Sequence, residues 1–504
     1  ALVGTNSGGL FLFDGTALHP FTPTGPLAGG RRINDLCAAG PGFYAAAIDS
    51  VGLVFFDRTG RIVQVLPGSL DQRLARVQRL HFAPGGVVWA LLNEGLARIE
   101  FPSRLSHFGP LVPTGLAYAQ PIRHDGRLWL LSDGRLLRGV YTPDRRLERF
   151  EDDTPPGNYV HSISALAGPL LASNEAGIYR YDGHTWRMAA PGPINARINV
   201  RSGDGRRWLY VARGEIGWLT PTADGLALQR FPVPGLGDNY GVPEDRDGIV
   251  WTELGNSRVG RIDLSGDTPH LEILGPKQGL GSGWTQIFIL DGVARFSVTG
   301  KIQRFDEAQH RFVDDTELGQ KYPAAVGAYG RPARDTSGRL WIARRDGLLV
   351  IDERSSPPPR HAEPLPADLQ PSMFTMENNG VVWMHEVRRL TRYDPTMPLP
   401  EPTPLRAIIT RVQLGSGNRT LYPAERRLPT LAYAENSLFA HFLAPSNPFG
   451  PPVSFEVRLE GTEGDWISTG STGAASFNRL KEGNYVLHVR PRAGTSIGEE
   501  ASLA

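Results

Sequence analysis

The strongest constraint on this chain is a repeat of about forty-two residues that fills its first four-fifths. Each copy has an extended apolar segment, a turn with glycine, a second strand and a turn marked by aspartate. Leu340-Trp341-Ile342-Ala343 followed by Asp346-Gly347-Leu348 is a clear form. Neighbouring copies lie 37 to 47 residues apart when they are aligned on a tryptophan-like position. The residues at that position are Leu2, Tyr44, Trp89, Trp129, Leu171, Trp208, Trp251, Ala294, Trp341 and Trp383. Four short strands per unit at this period predict the blades of an all-β propeller.

Composition agrees with this fold class and excludes some functions. The chain has 59 glycines and 42 prolines, which favour turns, and 40% hydrophobic residues, enough for a globular core. A formal net charge of +1 gives no reason to expect nucleic acid or an anionic membrane as a partner. Cys37 is the only cysteine, so an intrachain disulfide is excluded, and its apolar neighbours indicate a small buried side chain.

The repeat also predicts how each blade is built. The segment before the tryptophan-like position supplies the innermost strand, and a glycine turn such as Asp247-Gly248 leads into the next strand. An Asp-Gly or Asp-x-x-Gly turn opens the outermost strand, as in Asp57-Arg58-Thr59-Gly60. We expect the tryptophans to fill the gaps between adjacent blades as core residues.

The number of copies bears on domain organisation. Ten repeats exceed the four to eight blades that are usual in one propeller, and the first copy lacks an innermost strand. One explanation is a partial propeller of about three blades over 1–116, followed by a complete seven-bladed ring over 117–400. The other is a single unusual ring, or two small ones. The irregular first copy favours the partial propeller and the seven-bladed ring.

The last part of the chain differs from the repeats. A proline-rich segment at 395–404 reads as a stiff linker, and the period ends there. The longer strands beyond it predict a small antiparallel β-sandwich over 401–504. The expected strands are Arg406–Leu414, Ser437–Leu443, Ser454–Leu459 and Asn484–Arg490.

These residues carry a resemblance to known families. Asp335 to Ala343, with Gly347-Leu348 and Asp352 after it, resembles the two-component regulator propeller repeat. The tail resembles the triple-tyrosine domain, through Phe455–Gly461, Trp466 and Glu482–Tyr485. Of the three tyrosines that name this domain only Tyr485 is kept. Phe455 and Phe477 stand at the other two positions, which favours aromatic packing over a role for a phenolic hydroxyl.

The resemblance implies a function. Such chains form the periplasmic, extracytoplasmic sensing region of an inner-membrane receptor, in which the propeller binds a small molecule, often an oligosaccharide. The sandwich then leads to a membrane helix and a histidine kinase or diguanylate cyclase output domain, which is not in this sequence. A homodimer is compatible with this scheme. The resemblance implies no enzyme activity, cofactor or metal in the chain itself.

Loops on one face of a propeller form the default binding site. Aromatic rings there can stack on a sugar ring, while Arg, Asn and Glu bind hydroxyl groups. The candidate residues come from two sets of loops. One set leads into the innermost strands, and the other follows the strands that contain the tryptophan-like position. The predicted ligand-binding residues are Tyr159, His161, Asn174, Glu175, Arg197, Arg213, Tyr240, Glu253, Trp284, Arg344, His385 and Glu386.

Two other functions stay open at this point. A protein-interaction scaffold would present a broad, flat face in place of a funnel. A metal-dependent enzyme is the third hypothesis, because Gly248–Glu253 is similar to a repeat of streptogramin B lyase. Such an enzyme needs a histidine base and a carboxylate-held divalent ion, and His385 and Glu386 would have to take these roles. We interpret the similarity as an ordinary blade variant, since it occurs well only once.

Overall fold

The structure is a computed structural model of the chain from Ala1 to Ala504. It describes all residues except 7–8, 22–30, 84–85, 109–118, 143–146, 158, 166–168, 194, 202–206, 223–224, 256, 299–300, 323–330, 345–346, 353–364, 366–368, 372, 387–388, 398–403, 416–418, 424–425, 446–452 and 495, and except the side chains of 199–201, 319, 344 and 347. The described residues are nearly all β. Their helices are one α-helix, Thr316–Lys321, and 3₁₀ turns at Gln72–Arg76, Pro276–Gln278 and Tyr433–Glu435.

The first three repeats form three antiparallel sheets that follow the chain order. Repeat 1 comprises Leu2–Gly4, Leu10–Phe13 and Leu18–Phe21. Repeat 2 comprises Ile33–Ala38, Phe43–Ile48, Gly52–Asp57 and Ile62–Pro67. Repeat 3 comprises Val77–Ala83, Val87–Leu92 and Leu96–Glu100.

Seven further sheets follow in the same order, from innermost to outermost strand. Repeat 4 comprises Ala119–His124, Arg127–Ser132, Arg135–Tyr141 and Leu147–Asp152; repeat 5, Ser162–Ala165, Leu170–Ser173, Gly177–Tyr181 and Trp186–Pro191; repeat 6, Arg197–Arg201, Trp208–Ala212, Glu215–Pro221 and Leu226–Pro232. Repeat 7 comprises Val250–Gly255, Arg258–Asp263 and His270–Leu274; repeat 8, Thr285–Leu290, Val293–Val298, Lys301–Asp306 and Arg311–Asp314; repeat 9, Ala333–Arg334, Leu340–Arg344 and Gly347–Ile351; repeat 10, Met373–Met376, Val382–Glu386 and Arg389–Tyr393. All ten tryptophan-like positions lie in strands, so the predicted propeller repeat is confirmed.

A carboxylate six residues before the tryptophan accepts from its indole in three of these repeats, and in repeats 7 and 9 it also fixes the glycine turn. In repeat 9, Asp335 accepts hydrogen bonds from the backbone N–H groups of Ser337 and Arg339 within that turn. Its other oxygen accepts from the indole Nε1–H of Trp341 at 2.8 Å and from Arg339 Nε at 2.8 Å. The same indole-to-carboxylate bond joins Trp251 to Asp245 at 2.9 Å and Trp383 to Glu377 at 2.7 Å. One acid therefore sets the turn and orients the ring that enters the core.

Apolar clusters join each of the sheets of repeats 4 to 10 to the next. A blade alone leaves both faces open to water, so each face needs a neighbour. The clusters pair Trp129 with Tyr181, Leu171 with Trp208, Trp218 with Ile262, Trp251 with Phe296, Phe288 with Ile342, Trp341 with Met384, and finally Trp383 with Leu128. The last pair joins repeat 10 back to repeat 4. We infer that these seven sheets close into a ring.

A strand from elsewhere in the chain completes repeat 10. Leu105–His107 pairs antiparallel with Arg389–Tyr393 as the outermost strand of that sheet. Arg104 adds side-chain bonds, from Nη1 to the hydroxyl of Tyr393 at 3.1 Å and from Nε to the carbonyl of Met397 at 2.9 Å. The strand lies within 1–116, the segment expected to form the partial propeller. The predicted domain boundaries at 116–117 and 400–401 fall outside the described residues, so the division stays a prediction.

The face of repeat 3 that looks away from repeat 2 is uncovered. Trp89 is 37% exposed, and Leu91 and Leu96 on the same sheet are exposed too. The equivalent Trp129, Trp251, Trp341 and Trp383 are fully buried by the neighbouring sheet. Val88, Ala90 and Leu92 alternate with Trp89 and pack into the cluster shared with repeat 2. Repeat 3 thus has one covered and one open face.

The tail forms the predicted sandwich. One sheet has the strand order Arg419–Leu421, Ile408–Leu414, Leu438–Leu443, Ala474–Phe477; the other has Ile467–Gly470, Val453–Glu460, Val486–Ala493, Ser496–Ile497, with Ala501–Leu503 also paired to Val486–Ala493. Both sheets supply one shared core that includes Phe442, Phe455 and Val489. Phe477 and Tyr485 pack against it, and the Tyr485 hydroxyl donates to the carbonyl of Lys481 at 3.0 Å.

Asp335 offers a test of the turn-to-tryptophan link. Asp335→Asn puts an amide where Trp341 and Arg339 need an acceptor, and it removes the negative charge of the buried ion pair with Arg339. We expect a loss of about 3 kcal/mol in the free energy of unfolding, followed by urea titration of tryptophan fluorescence. Asp263→Asn is the matched control, because Asp263 closes a turn at the surface by accepting from Ser265 N–H at 2.8 Å. Equal losses in the two variants would contradict the role given to Asp335.

The open face of repeat 3 predicts unequal effects of one substitution at equivalent positions. Trp341→Ala removes a fully buried ring and should cost about 4 kcal/mol of stability. Trp89→Ala removes a ring that is already partly in water, so its cost should be much smaller. Urea midpoints of the two variants provide the comparison. A larger loss for Trp89→Ala would mean that this face is covered in solution.

Candidate functional site

A cavity of about 250 Å³ lies where the innermost strands of repeats 4 to 10 meet. Each of the seven repeats contributes to its wall, by its innermost strand or by the segment just before that strand. The contributors include Gln120, Ser162, Arg197, Tyr240, Ile287, Arg331 and Phe374. The cavity therefore lies on the axis around which the sheets are arranged, the place where a propeller offers a concave surface.

Predicted aromatic residues lie at and beside this cavity. Tyr240 lines it, and the ring of Trp284 packs against Tyr240 with centroids 5.0 Å apart and planes at 62°. Both rings stay accessible, with 40% exposure for Tyr240 and 55% for Trp284. Tyr159 and His161 form a second ring contact at 5.4 Å, in which Tyr159 is exposed. Large exposed rings are costly to leave in water unless something covers them.

Glu253 lies behind the wall. Its side chain is buried, and Arg331 Nη2 donates to both carboxylate oxygens at 2.7 and 2.8 Å. The backbone N–H of Ile287 donates to the same carboxylate at 2.6 Å. Burial raises the pKa of Glu253, and the charge of Arg331 and the hydrogen bond from Ile287 oppose that rise. Glu253 thus holds Arg331 in the cavity wall.

Several charged residues surround His161 on the same side of the ring. Burial is the main cause that lowers the pKa of His161, and the positive charge of Arg197 adds to it. Arg213 and Asp238 also act on His161, and they pair with each other at 3.0 and 2.7 Å. The exposed Glu175 acts on His161 as well. Five predicted residues, His161, Glu175, Arg197, Arg213 and Tyr240, therefore belong to one neighbourhood.

The remaining predicted residues have other surroundings. The buried amide of Asn174 fixes a turn in repeat 5: it donates to the carbonyl of Pro156 at 2.8 Å and accepts from Ala176 N–H at 2.9 Å. His385 and Glu386 are buried in a strand of repeat 10. Glu386 accepts from Arg389 at 2.6 and 2.7 Å. Arg344 ends a strand of repeat 9, and its side chain lies outside the described residues.

Arg331 is the cavity residue that the sequence analysis missed. It stands ten residues before Trp341, as His161 stands ten before Leu171 and Trp284 ten before Ala294. The residue at that offset begins or just precedes the innermost strand and so lies at the same end of each blade. A comparison of the residues ten positions before each tryptophan-like position would have identified Arg331.

Four buried side-chain oxygens of repeats 6 to 8 and the segments that lead into them have no hydrogen-bond partner in the described part of the chain. They are Asn195 Oδ1, Asn239 Oδ1, Thr252 Oγ1 and Thr285 Oγ1. Asn239 precedes the cavity residue Tyr240, and Thr285 follows Trp284. Buried polar atoms without partners are rare in folded proteins and indicate water or ligand contacts.

The fold and the cavity together define an all-β protein with propeller blades arranged around an axial pocket and a sandwich at the C-terminal end. None of the known family models matches the sequence, and no curated protein sequence matches it either. Within the described residues, no helix has the length and apolar character to cross a membrane.

Solved structures share this fold. The extracellular domain of BT3049 from B. thetaiotaomicron, a protein assigned to the hybrid two-component systems, matches with a TM-score of 0.65 and 13% identity over 100% of this chain and 72% of that one. The extracellular domain of BT4673 from B. thetaiotaomicron, assigned to the one-component systems, gives 0.44 and 14% over 99% of this chain and 72% of that one. A streptogramin B lyase gives 0.40 and 16% over 57% of this chain and 97% of that one. The match to BT3049 supports the fold over the whole chain.

The buried His385 predicts a pH dependence of stability. Burial lowers its pKa from 6.5 to about 4, so below pH 6.5 the unfolded chain binds a proton that the folded chain does not. The contribution of the neutral His385 to the free energy of unfolding is fully present above pH 6.5, and it is lost as the pH falls towards 4. Between pH 7 and pH 5 it should remove about 2 kcal/mol of stability.

Urea midpoints at pH 7 and pH 5 test this expectation. His385→Gln should show a smaller loss over this range than the wild-type chain, whereas His184→Gln, a substitution in an exposed turn, should keep the wild-type loss. Identical pH dependence in all three chains would show that His385 is not protected from protonation.

Proposed function

We propose that this chain is the extracytoplasmic ligand-sensing region of a bacterial signal-transduction receptor. The ligand is a small molecule, with carbohydrates as the first class to test. The observation that supports this most directly is the axial cavity, to which all seven repeats contribute. A ligand that touches several blades at once can change how they pack, and such differential contact is what a sensor requires.

The rings beside the cavity support a carbohydrate. Tyr240 and Trp284 present accessible aromatic surface next to a polar wall that contains Gln120, Ser162 and Arg197. A pyranose has an apolar face for rings and hydroxyl groups for amides, hydroxyls and guanidinium groups. The buried oxygens of Asn239 and Thr285 could accept from hydroxyl groups or from bridging water.

The receptor architecture is also part of the proposal. We place residues 1–116 in a partial propeller, except for the strand Leu105–His107, which pairs with repeat 10. Residues 117–400 belong to a seven-bladed propeller, and 401–504 to a sandwich that leads to a membrane-linked histidine kinase or diguanylate cyclase. The similarity in fold to the extracellular domain of BT3049 supports this order, and the cellular location that follows is the periplasm. The open face of repeat 3 supports further blades in the first propeller.

The competing functions find less support. A scaffold that binds proteins over a broad, flat face does not need a polar cavity on the axis. The lyase hypothesis relied on His385 and Glu386, but both are buried in repeat 10 and Glu386 is already paired with Arg389. A base must reach the proton that it removes, and a side chain enclosed in a sheet does not.

A thermal-shift screen with neutral and acidic oligosaccharides tests the ligand-binding role. A true ligand at one hundred times its Kd stabilises the folded state by about 2.7 kcal/mol and raises the melting temperature by a few degrees. The double variant Tyr240→Ala, Trp284→Ala should weaken binding about tenfold, because it removes the stacking surface. Tyr422→Ala, an exposed tyrosine of the sandwich, is the matched control.

Two results would count against the proposal. One is a screen in which no small molecule shifts the melting temperature. The other is a protein partner whose binding is abolished by the double variant, which would favour the scaffold. The relay has its own check in the full-length gene, whose downstream reading frame should encode a membrane helix and a kinase or cyclase domain.

A further inference from the structure

Two charged residues line the described part of the cavity wall, and both are arginines. Arg197 comes from the first strand of repeat 6, and Arg331 from the segment before the first strand of repeat 9. The other wall residues that the structure describes are uncharged, and they include Gln120, Tyr240 and Phe374. An arginine side chain stays charged over the pH range in which proteins are folded. The wall therefore carries two fixed positive charges.

Only one of these charges is balanced. The buried Glu253 pairs with Arg331 through both of its oxygens and accepts from the N–H of Ile287, while Arg197 interacts with its charge without a hydrogen bond. Arg197 donates from Nε to the carbonyl of Asn239 at 3.0 Å, which is a neutral partner. In the described residues no carboxylate forms an ion pair with Arg197. The cavity thus keeps a net charge of about one positive unit.

The neighbouring histidine shows the effect of this charge independently. The charge of Arg197 contributes to lowering the pKa of His161, in the same direction as burial. Asp238, one of the two acids that act on His161, already accepts two bonds from Arg213 at 3.0 and 2.7 Å. The positive potential at Arg197 is therefore not cancelled from the rim of the cavity.

The bond from Nε to Asn239 also orients Arg197. It fixes one edge of the planar guanidinium and leaves the terminal Nη groups without a protein acceptor among the described residues. Guanidinium groups bind carboxylate and sulfate oxygens through two parallel N–H donors, and such bonds are stronger in a partly enclosed site than in water. Arg197 is oriented by this bond and forms no ion pair among the described residues. Its guanidinium can therefore bind the oxygens of an anionic group in the cavity.

We propose that the cavity selects ligands with an anionic group, a carboxylate or a sulfate, which binds to Arg197 while the rest of the ligand contacts Tyr240 and Trp284. This inference rests on the proposed ligand-binding function and narrows it from carbohydrates in general to acidic ones. Arg331 is already paired with Glu253 and is therefore not a free anion site. Arg197 is the residue that distinguishes acidic from neutral ligands.

Matched pairs of sugars test the charge requirement. Trigalacturonate is compared with neutral galactotriose, and 6-O-sulfated N-acetyllactosamine with neutral N-acetyllactosamine, by isothermal titration calorimetry on the intact chain. We expect the acidic member of at least one pair to bind about tenfold more tightly than its partner. The first pair reports a carboxylate and the second a sulfate, so the two sources of charge are distinguished. The preference should shrink as salt is raised.

Variants of Arg197 assign the preference to this residue. Arg197→Gln keeps a side-chain N–H for the carbonyl of Asn239 but removes the charge, and should weaken binding of the acidic sugar about tenfold more than binding of its neutral partner. Arg197→Lys keeps the charge and should retain part of the preference. Arg187→Gln is the control, because Arg187 lies in an outer strand and pairs with Asp182 at the surface. Circular dichroism confirms that each variant is folded.

The outcomes separate the two proposals. Neutral and acidic sugars that bind equally, or an Arg197→Gln variant that weakens both equally, overturn the anionic specificity and leave the sensing role intact. Failure of every sugar to bind the folded chain overturns the anionic specificity and the carbohydrate class, whereas the sensing role is overturned when no small molecule shifts the melting temperature. Loss of the preference in Arg187→Gln to the same degree as in Arg197→Gln would also overturn the assignment, since it would reflect general charge.

Discussion

The covering of each blade by the next is the constraint on which the rest of the structure depends. A four-stranded sheet in this chain has apolar side chains on both faces, and neither face can stay in water without cost. The clusters between successive sheets meet this need, from Trp129 with Tyr181 through to Trp383 with Leu128. The turn carboxylates serve the same packing, because Asp335 holds the indole of Trp341 in the one orientation that fills the gap. The axial cavity exists because the ring that these contacts form has a centre.

Much of this fold could be predicted from the sequence, and the exceptions have physical reasons. The period of the repeat and the tryptophan-like positions are local patterns, and all ten positions lie in strands. The strand Leu105–His107 could not be foreseen, because its pairing with Arg389–Tyr393 joins segments that are distant in the chain and follow no repeat. A short strand of this kind is defined by its partner and not by its own composition.

The candidate site shows a similar division. Residues that begin innermost strands, or just precede them, can be read from the sequence, and Arg197, Tyr240 and His161 lie together as expected. Residues after the tryptophan strand were expected on the same surface, but Asn174 and Glu386 are buried and serve their own blades. Polarity in a loop does not reveal whether a side chain faces solvent or the backbone of its own turn. Arg331 becomes visible only when the residues ten positions before each tryptophan-like position are compared across the repeats.

The strand Leu105–His107 places two connections of the chain on one blade. The chain arrives from repeats 1 to 3 at Arg104, and it leaves repeat 10 towards the sandwich after Asp394 and Met397. Arg104 is bonded to both of these departing residues: its carbonyl accepts from Asp394 N–H at 2.8 Å, and its side chain reaches the carbonyl of Met397. Tension applied between the sandwich and the N-terminal repeats would therefore act on a single sheet, in a direction that unzips one edge strand, while the other six blades stay unstrained. Repeat 10 is thus the sheet to which both connections of the chain are attached.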